Sequence, residues 1–326
     1  MDEFRGKLAV ITGGGSGMGR ELALQLVRAG AHVAICDVFA DNLAAAKEAC
    51  EKVAAPGTRV SAHPCDVADE GEVVAFRHAV TRAHEIDHIH LLFNNAGVGG
   101  GGSFVTDKRD EWERTFNVCW FGVYNCTRAF LPLLIKSSGG CIVNTSSVNG
   151  FFALSPIGPH TAYSTAKFAV KGFSEALISD LRVNAPHVRV ALVMPGHVGT
   201  PIVANTFRSQ GRPSPRTMTQ RQLAEIRPML TSMKIPHENM SDEQLRSTLQ
   251  GILDRFEKNA PLSAAQAATI ILQGVQEKRW RILVGDDARI LDQLARDHPD
   301  ELYEPEFLKQ VMAALSAKPA APAGTT

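Results

Sequence analysis

Seven short apolar runs recur along the chain and are separated by longer segments of mixed character. The runs comprise residues 8–12, 32–36, 59–63, 89–93, 141–145, 188–193 and 281–284. Several of them are nearly continuous in valine, isoleucine, leucine and alanine. Runs of this length and composition predict β-strands that are buried on both faces of a sheet.

The segments between these runs have the apolar spacing of amphipathic helices. They comprise residues 17–29, 42–54, 69–84, 110–135, 162–183 and 263–277. Strands that alternate with helices predict a parallel sheet, because each helix carries the chain back to begin the next strand in the same direction. We therefore expect an α/β fold, a Rossmann-like doubly wound parallel sheet of about seven strands with helices on both faces.

Residues 201–261 interrupt this alternation and are interpreted as a helical insertion that covers the substrate site. Its helices are predicted at residues 219–227 and 242–258, separated by Pro228 and Pro236. Four methionines, at positions 218, 229, 233 and 240, give the insertion an adaptable apolar content. This content fits a lid over a lipophilic substrate, and it fits equally the core packing of extra helices.

The end of the chain adds two predicted helices, at residues 286–295 and 306–315. The sequence AKPAAPAGTT follows, and its low complexity predicts a disordered tail over residues 317–326. No composition typical of a linker divides the preceding part, so we expect a single domain over residues 1–316.

The bulk composition limits the function classes. Of 326 residues, 44% are hydrophobic and 21% charged, which is enough apolar material for a sizeable core. The 34 basic residues balance 34 acidic ones, with no basic patch of the kind that binds nucleic acid or an anionic membrane. The N-terminal sequence MDEFRGKLAV is unlike a secretory signal, and the six cysteines form no C-x-x-C pair. We expect a cytoplasmic protein without a nucleic-acid or membrane partner.

The first apolar run leads directly into a glycine-rich turn. Residues 12–19 read TGGGSGMG, with the spacing G-x-x-x-G-x-G at Gly13, Gly17 and Gly19. Between a strand and a helix, such a turn leaves bare N–H groups at the helix N-terminus, and these groups attract a diphosphate together with the helix dipole. The strict dinucleotide fingerprint G-x-G-x-x-G is absent, so a flexible turn is the alternative interpretation.

An acidic residue ends the second predicted strand. Asp37 lies about 20 residues beyond the glycine turn, where a carboxylate can bind the ribose hydroxyls of an adenosine. The same carboxylate repels a 2′-phosphate, and residues 13–19 contain no lysine or arginine to offset that repulsion. We therefore expect NAD as the cofactor rather than NADP. The alternative is an ordinary carboxylate at a strand end.

Tyr163 and Lys167 are four residues apart at the start of a predicted helix, so their side chains share one helix face. A tyrosine with its ordinary pKa near 10 is a poor base at neutral pH. A nearby ammonium and a cationic nicotinamide favour the phenolate, and a pKa lowered by about three units corresponds to roughly 4 kcal/mol. Such a phenol can accept the proton of an alcohol while a hydride leaves. The same pattern also occurs by chance in surface helices.

The motifs follow one another in a fixed order. After the glycine loop come Asp66-Val67, Asn94-Asn95-Ala96-Gly97, Ser147, Tyr163 with Lys167, and Pro195-Gly196. Each lies at the carboxyl end of a predicted strand or on the next element, which is the edge where an open α/β sheet binds ligands. The sequence resembles the short-chain dehydrogenase/reductase family, closely over residues 7–200 and loosely over residues 263–284.

This resemblance implies a role for each motif. Tyr163 is implied as the general acid and base, and Lys167 as the group that holds the nicotinamide ribose and lowers the tyrosine pKa. Ser147 is implied to bind the substrate oxygen, and Asn117 to support a water-linked proton relay to Lys167. The implied cofactor-binding residues are Gly13, Ser16, Gly17, Met18, Gly19, Asp37, Asp66, Val67, Asn94, Ala96, Gly97, Tyr163, Lys167, Pro195, Gly196, Val198 and Thr200.

The implied activity is hydride transfer between NAD(H) and a secondary alcohol or ketone. Apolar residues after Ser147 and in the insertion point to a lipophilic or cyclic substrate. The resemblance also implies a homodimer or homotetramer, formed through the helices near residues 110–135 and 162–183. The segment between Ser147 and Tyr163 is longer than is common in the family, with residues 155–160 as the excess, so the shape of the pocket cannot be copied from relatives.

Two other functions on the same fold are alternatives. One is a non-catalytic NAD-binding protein, against which the complete set of Asn117, Ser147, Tyr163 and Lys167 argues, because loss of catalysis would permit the loss of one member. The other is an epimerase or dehydratase, which the single nucleotide loop fits less well. Fold alone does not decide between them.

Residues 84–88, HEIDH, match the zinc-binding pattern H-E-x-x-H. That chemistry requires both histidines on one continuous helix, together with a third ligand. A strand is predicted to begin at residue 89, so the helix must end within the motif. We expect no metal site here.

Overall fold

The computed structural model describes residues 2–153, 159–232 and 235–316. The predicted tail at residues 317–326, most of the predicted excess at residues 155–160 and the methionine at position 233 lie outside the described residues.

A parallel sheet of seven strands forms the centre of the fold. The strands of the described residues are β1 (Leu8–Thr12), β2 (His32–Asp37), β3 (Val60–Pro64), β4 (Leu91–Asn94), β5 (Gly140–Thr145), β6 (Val188–Pro195), β7 (Val198–Gly199), β8 (Leu262–Ser263) and β9 (Arg281–Val284). The sheet order is β3-β2-β1-β4-β5-β6-β9, while β7 and β8 pair separately. All seven predicted strands are confirmed, and the order reverses between β1 and β4, where open α/β sheets bind their ligands.

Helices cover both faces of the sheet, which confirms the predicted fold class. They are α1 (Gly17–Arg28), α2 (Ala40–Val53), α3 (Glu70–His84), α4 (Arg109–Phe116), α5 (Gly122–Ile135), α6 (Thr161–Asn184), α7 (Ile202–Ser209), α8 (Gln220–Ser232), α9 (Asp242–Lys258), α10 (Ala264–Gln276), α11 (Asp286–Asp297) and α12 (Pro305–Ser316). Helices α1, α2 and α10 pack on one face, and α3, α5 and α6 pack on the other.

The two faces of each strand supply two separate cores. In β1, Ala9 and Ile11 belong to the core under α1 and α10, whereas Leu8 and Val10 belong to the core under α3 and α5. All four residues are fully buried, which explains why the strand is continuously apolar rather than alternating. Burial of each large side chain contributes about 1.5–3 kcal/mol to folding.

A π-helical turn joins α4 to α5. The backbone is helical from Arg109 to Ile135, with the π turn over Asn117–Phe121. By length and composition this helix is apolar enough to cross a membrane, with a mean hydropathy of 1.3 in its most apolar window. Because 61% of that window is buried inside the protein, the helix has the burial expected of a core helix.

The insertion is more helical than predicted. Helix α9 has the predicted bounds, but α7 was not predicted, and the prediction that the next helix ends at residue 227 is wrong. Helix α8 continues past Pro228 to Ser232 although an interior proline is unfavourable in a helix, and Leu230 in this last turn is buried in the core of the insertion. Met218 and Met240 pack with leucines of α8 and α9 in a core of the insertion's own, as the core-packing interpretation expects.

The last two helices pack beside the loop that follows β5. Leu291 of α11 and Phe307 of α12 form a cluster with Phe152, and Tyr303 stacks on the Phe152 ring. The end of the chain is therefore attached to the segment that begins at Ser147.

Candidate active site

Three of the predicted catalytic side chains meet at the carboxyl ends of the central strands. Ser147 follows β5, and Tyr163 and Lys167 lie on the first two turns of α6. The Lys167 Nζ atom lies 5.4 Å from the centroid of the Tyr163 ring. The Ser147 hydroxyl lies near enough to the Tyr163 phenol to lower its pKa. A hydroxyl, a phenol and an ammonium thus face one small region above the sheet.

The ammonium of Lys167 is held in place by β5. The side chain is only 3% exposed, and its Nζ donates to the Thr145 carbonyl oxygen at 2.9 Å. Ser146 fixes the same helix turn from below, because its hydroxyl donates to the Lys167 carbonyl oxygen at 2.7 Å. Across the cleft, a Cβ atom on Gly97 would lie 3.7 Å from the Nζ atom, which places the ammonium beside the loop after β4.

The environment of Tyr163 acts on its phenol in two directions. Burial is the largest influence and raises the pKa of Tyr163 above its ordinary value. The Lys167 charge and the nearby Ser147 hydroxyl lower the pKa of Tyr163, but they do not outweigh burial. The phenol of the protein alone is therefore protonated at neutral pH.

Asn117 begins the π-helical turn between α4 and α5. Its carbonyl oxygen accepts from the N–H of Gly122, five residues later, so the normal helical pattern is broken at this asparagine. The turn packs against α6, and the Cys119 thiol donates to the Val98 carbonyl oxygen at 3.2 Å. Single π turns inside α-helices are frequent at functional sites. No feature of the sequence predicted this one.

The glycine loop has the geometry of an anion site. Gly13 and Gly17 adopt φ values of +63° and +51°, in the left-handed region that favours glycine. A Cβ atom on Gly19 would collide with the Gly13 carbonyl oxygen, so the helix can begin this close to the strand only with glycine there. Ser16 precedes α1 with no side-chain capping bond, which leaves the first N–H groups of the helix free for a ligand. These features fit a dinucleotide diphosphate.

Asp37 lies against the glycine loop at the end of β2. Its carboxylate accepts from the N–H groups of Gly15 and Phe39, both at 3.0 Å. Burial raises the pKa of Asp37 above its ordinary value, although these two bonds favour the charged form. The position beside the loop is the one expected of a ribose-binding carboxylate.

Asp66 and Val67 follow β3 and are fixed by neighbouring elements. The Asp66 carboxylate accepts from Arg114 of α4 at 2.5 Å and from the Ala68 N–H at 3.0 Å. Val67 is buried, and its carbonyl oxygen accepts from Asn125 of α5 at 3.1 Å. Arg114 was missed in the sequence because its partner lies 48 positions away.

The side chain of Asn94 lies in the core. It is 2% exposed and donates to the Thr127 hydroxyl at 2.9 Å and to the Asn144 side chain at 2.8 Å. Because the side-chain amide of Asn94 is bonded inside the protein, only the backbone at this position is available to contact a cofactor. The predicted residues Ala96 and Gly97 follow it at the open edge of the sheet.

Thr12 and Asn95 connect the loops that follow β1 and β4. The Thr12 hydroxyl accepts from the N–H groups of Asn95 and Ala96, both at 3.0 Å. The Asn95 amide donates to the Thr12 carbonyl oxygen at 3.1 Å. These bonds set the position of Ala96 beside Gly13, a function that the sequence motifs alone did not reveal.

The segment from Pro195 to Thr200 closes the site on the other side. The Gly196 N–H donates to the Val284 carbonyl oxygen at 3.0 Å, and Val198 pairs with Leu262 in the short ladder of β7 and β8. Thr200 contacts the glycine loop, since a Cβ atom on Gly17 would lie 3.2 Å from its side chain. The two predicted cofactor-binding segments therefore adjoin.

Helix α7 crosses the edge of the sheet above these loops. Asn205 donates to the Ser16 hydroxyl at 2.9 Å, and the Thr206 hydroxyl accepts from the Gly99 N–H at 2.8 Å. Arg208 donates to Asp41 at 2.7 Å and lies over the Phe39 ring. One short helix thus contacts the loops after β1, β2 and β4.

The motif at residues 84–88 does not lie on one helix. Helix α3 ends at His84, and Glu85 adopts a left-handed conformation with φ of +52°. The His84 Nε2 atom forms a hydrogen bond with the Ser61 hydroxyl. Across residues 2–153, 159–232 and 235–316, no group of three or more His, Cys, Asp or Glu side chains has a metal-binding arrangement.

A family model described as short chain dehydrogenase matches residues 7–211. The chain belongs to the short-chain dehydrogenase/reductase family. It is an oxidoreductase of that family, as the resemblance implied.

Curated relatives support this membership over most of the chain. SadH of Mycobacterium tuberculosis, which is named as an oxidoreductase, is 35% identical over 297 residues, covering 91% of this chain and 92% of SadH. Cyclohexanol dehydrogenase of Acinetobacter sp. strain SE19 is 31% identical over 205 residues, covering 62% of this chain and 77% of that enzyme.

Solved structures of short-chain dehydrogenases have the same fold. One from Burkholderia phymatum, in complex with NAD, is 29% identical and covers both chains completely with a TM-score of 0.67. A metagenomic short-chain oxidoreductase in complex with NADP is 32% identical, covers 59% of this chain and 83% of its own, and has a TM-score of 0.52. Members of the family with this fold therefore bind either nicotinamide dinucleotide.

Proposed function

We propose that the protein is an NAD-dependent dehydrogenase or ketone reductase that transfers a hydride between NAD(H) and a secondary alcohol or ketone. The observation that carries the proposal is the meeting of the Tyr163 phenol, the Ser147 hydroxyl and the Lys167 ammonium above the sheet edge. The glycine loop that fits a diphosphate opens at the same edge.

The residues present fit the cofactor from one end to the other. Backbone N–H groups of the glycine loop would hold the diphosphate, and Asp37 the adenosine ribose. The other residues assigned to cofactor contact are Asp66, Val67, the backbone at Asn94, Ala96, Gly97, Pro195, Gly196, Val198 and Thr200. When bound, the nicotinamide ring accepts or returns the hydride.

The chain's own residues orient the substrate and move its proton. Ser147 and Tyr163 would both bind the alcohol or carbonyl oxygen, and Tyr163 would exchange the proton with it. Asn117, at the π turn packed on α6, would support the water-linked path by which the proton reaches Lys167.

Lys167 is assigned the role of lowering the pKa of Tyr163, so that the phenol can act as a base. Because burial raises the pKa of Tyr163 in the protein alone, a shift to near neutrality requires more than about 4 kcal/mol of favourable interaction with the phenolate. The buried Lys167 ammonium already opposes the effect of burial, since charges act strongly where water is excluded. The further shift would come from the positive charge of the oxidised nicotinamide.

Asp37 favours NAD over NADP. The carboxylate is 8% exposed and already faces the loop that would hold the diphosphate, so a 2′-phosphate would meet a negative charge in a poorly solvated place. The nearby guanidinium of Arg208 is paired with Asp41, and its charge offsets only part of the Asp37 charge.

A lipophilic or cyclic alcohol fits the surroundings of Ser147. Val148 and Phe151 follow the serine and pack with the apolar cluster of α11 and α12. The similarity to a cyclohexanol dehydrogenase supports the same substrate class. Met218 and Met240 add no support, because they pack inside the insertion.

Helices α5 and α6 would form the contact between copies of the chain in a homodimer or homotetramer. Phe121 and Phe168 are each 41% exposed there, and a groove between the two helices is lined by apolar side chains that include Leu131 and Phe173. Exposed apolar patches of this kind mark interaction sites. A cytoplasmic location remains the expectation, since all six cysteines are buried as free thiols.

The test offers the purified full chain NAD or NADP with a panel of secondary alcohols, including cyclic alcohols, steroids and acyl-chain alcohols. Reduced nicotinamide is followed by absorbance. We expect turnover with NAD, and a loss of at least about 10³-fold in Tyr163→Phe. Tyr124→Phe, which removes a phenol from α5 outside the cleft, should keep its activity.

Two results would contradict the proposal in different ways. Turnover that survives in Tyr163→Phe would remove this residue from the mechanism. Tight NAD binding without turnover on any member of the panel would favour a non-catalytic NAD-binding protein.

A further inference from the structure

A carboxylate of the last third of the chain holds the segment that follows β6. The Asp287 Oδ2 atom accepts from the His197 N–H at 2.6 Å, and its Oδ1 atom accepts from the Ala288 N–H at 2.9 Å. Asp287 lies in the first turn of α11, 90 positions after His197. One side chain therefore joins the N-terminus of α11 to the Pro195–Thr200 segment.

The contact is close enough to require glycine on two sides. A Cβ atom on Gly196 would collide with both carboxylate oxygens of Asp287, and a Cβ atom on Gly285 would collide with one of them. Gly285 also adopts a φ of +107°, which L side chains rarely adopt. The glycine of the Pro195-Gly196 pair is thus explained by the approach of a carboxylate from behind the segment.

Other contacts hold the same stretch of backbone. The Gly196 N–H is bound by the Val284 carbonyl oxygen, and the His197 imidazole forms a 2.8 Å hydrogen bond with the Phe256 carbonyl oxygen. With the His197 N–H bound by Asp287, two consecutive peptide N–H groups point into the protein. The backbone that continues to Val198 and Thr200 is therefore fixed in position relative to the cleft.

We propose that Asp287 is a positioning residue for the nicotinamide end of the cofactor. Its carboxylate fixes the peptide plane between Gly196 and His197, and this plane sets the backbone at Val198 and Thr200 beside the nicotinamide carboxamide. The inference rests on the proposed function, because it assumes a nicotinamide cofactor in the cleft. Asp287 touches neither cofactor nor substrate and acts only through the Pro195–Thr200 segment.

The chain provides a matched control in the adjacent residue. Asp286 lies in the same first turn of α11, is exposed, and pairs with Arg289 at 2.9 Å. It has the same charge and the same favourable place at a helix N-terminus, but it is not bonded to the segment after β6. The effect of a lost charge at the helix N-terminus should be similar in both variants.

The experiment compares two ligands that share the adenosine diphosphate ribose part. NADH binding to the full chain is measured by calorimetry and by the fluorescence of its nicotinamide ring, and ADP-ribose binding by calorimetry. Asp287→Asn keeps the shape of the side chain but leaves one acceptor for two N–H groups, and Asp287→Ala removes both. We expect NADH to bind about tenfold more weakly in both variants, as for loss of a hydrogen bond to a charged group.

The other measurements are expected to give the same affinities as the wild type. ADP-ribose should bind equally to wild type, Asp287→Asn and Asp286→Asn, and Asp286→Asn should bind NADH with the affinity and fluorescence of the wild type. Equal weakening of NADH and ADP-ribose in the Asp287 variants would mean a general structural defect and would overturn the proposal. Unchanged NADH affinity and fluorescence would also overturn it. If the wild-type protein bound neither NADH nor ADP-ribose, the proposed cofactor site itself would be contradicted. The inference about Asp287 would then fail as well.

Discussion

At the residue scale, the chemistry depends on how one phenol is charged. Burial disfavours the phenolate of Tyr163, and Lys167 is the largest opposing influence. A raised pKa keeps the phenol protonated at neutral pH, which suits the acid that a ketone reduction needs. Alcohol oxidation needs the phenolate instead, so its rate should rise as the pH rises toward the pKa of Tyr163 in the complex.

Lys167→Met should move this pH dependence to higher pH. Without the ammonium, the pKa of Tyr163 rises further, so the midpoint of kcat/KM for alcohol oxidation should increase by about one unit or more. In ketone reduction, the protonated Tyr163 should remain available as the acid up to a higher pH. Pre-steady-state hydride transfer against pH gives both profiles. Lys171→Met removes a lysine one turn later on α6, where it pairs with Glu175, and should leave the midpoint in place. An unchanged midpoint in Lys167→Met would show that the ammonium does not act on the phenol.

Asp37→Asn should reduce the preference for NAD. The substitution keeps the size of the side chain beside Gly15 but removes the charge that meets a 2′-phosphate. We expect the ratio of kcat/KM for NAD to that for NADP to fall by about tenfold or more, since a charge close to a phosphate is worth over 1 kcal/mol. Glu48→Gln serves as the control, because Glu48 lies on α2, carries the same charge and pairs with Lys52 at the surface. An equal fall in both variants would assign the effect to general charge.

Residues that recur in a motif were predictable, and residues that support them were not. The order of motifs indicated Tyr163, Lys167 and Ser147, and the structure brings these three side chains together. The buried amide of Asn94 and the carboxylate of Asp287 were assigned other roles or none. Their partners lie tens of positions away, so no local pattern in the sequence records the contact.

At the scale of elements, predictability followed length and apolar content. Six of the seven sheet strands carry buried residues and β3 only partly buried or exposed ones, yet all seven were recognised as short strand-like runs. Helix α7 was missed because it has only eight residues, and the ladder of β7 and β8 because two residues carry no period. Yet α7 connects the insertion to the loops after β1, β2 and β4.

Arg208→Ala should loosen the insertion in the absence of cofactor. The arginine ties α7 to Asp41 and Phe39, and its loss leaves Asn205 and Thr206 as the remaining polar contacts of α7 with the loops after β1 and β4. Limited proteolysis should cleave residues 201–261 several-fold faster than in wild type, and saturating NAD should restore much of the protection. Arg221→Ala, on α8, removes only an exposed pair with Glu225 and should be cleaved like wild type. If wild type and both variants were cleaved at the same rate, with and without NAD, the insertion would not be part of the cofactor site.

At the scale of the whole molecule, two regions outside the cleft determine how the site is held. The C-terminal helices contact the Pro195–Thr200 segment through Asp287 and the segment after Ser147 through Phe152 and Tyr303. On the other side, α6 carries Tyr163 and also the exposed Phe168, and the π turn that begins at Asn117 ends at the exposed Phe121. A second copy of the chain that packed against Phe121 and Phe168 would contact the helices that carry the catalytic residues.

Replacement of Phe121 and Phe168 together by glutamate should dissociate the oligomer. Each ring is 41% exposed, and a charge at either position would be buried without a partner in a contact between copies, which costs several kcal/mol. Sedimentation velocity should show wild type as a dimer or tetramer and the double variant as a smaller species. Val183→Glu, at an 80% exposed site near the end of α6, is the control and should sediment as wild type. Because α6 carries Tyr163 and Lys167, the dissociated variant should also turn over more slowly while still binding NAD through the loops of β1 and β2. A wild-type chain that sediments as a monomer at all concentrations would contradict the proposed contact.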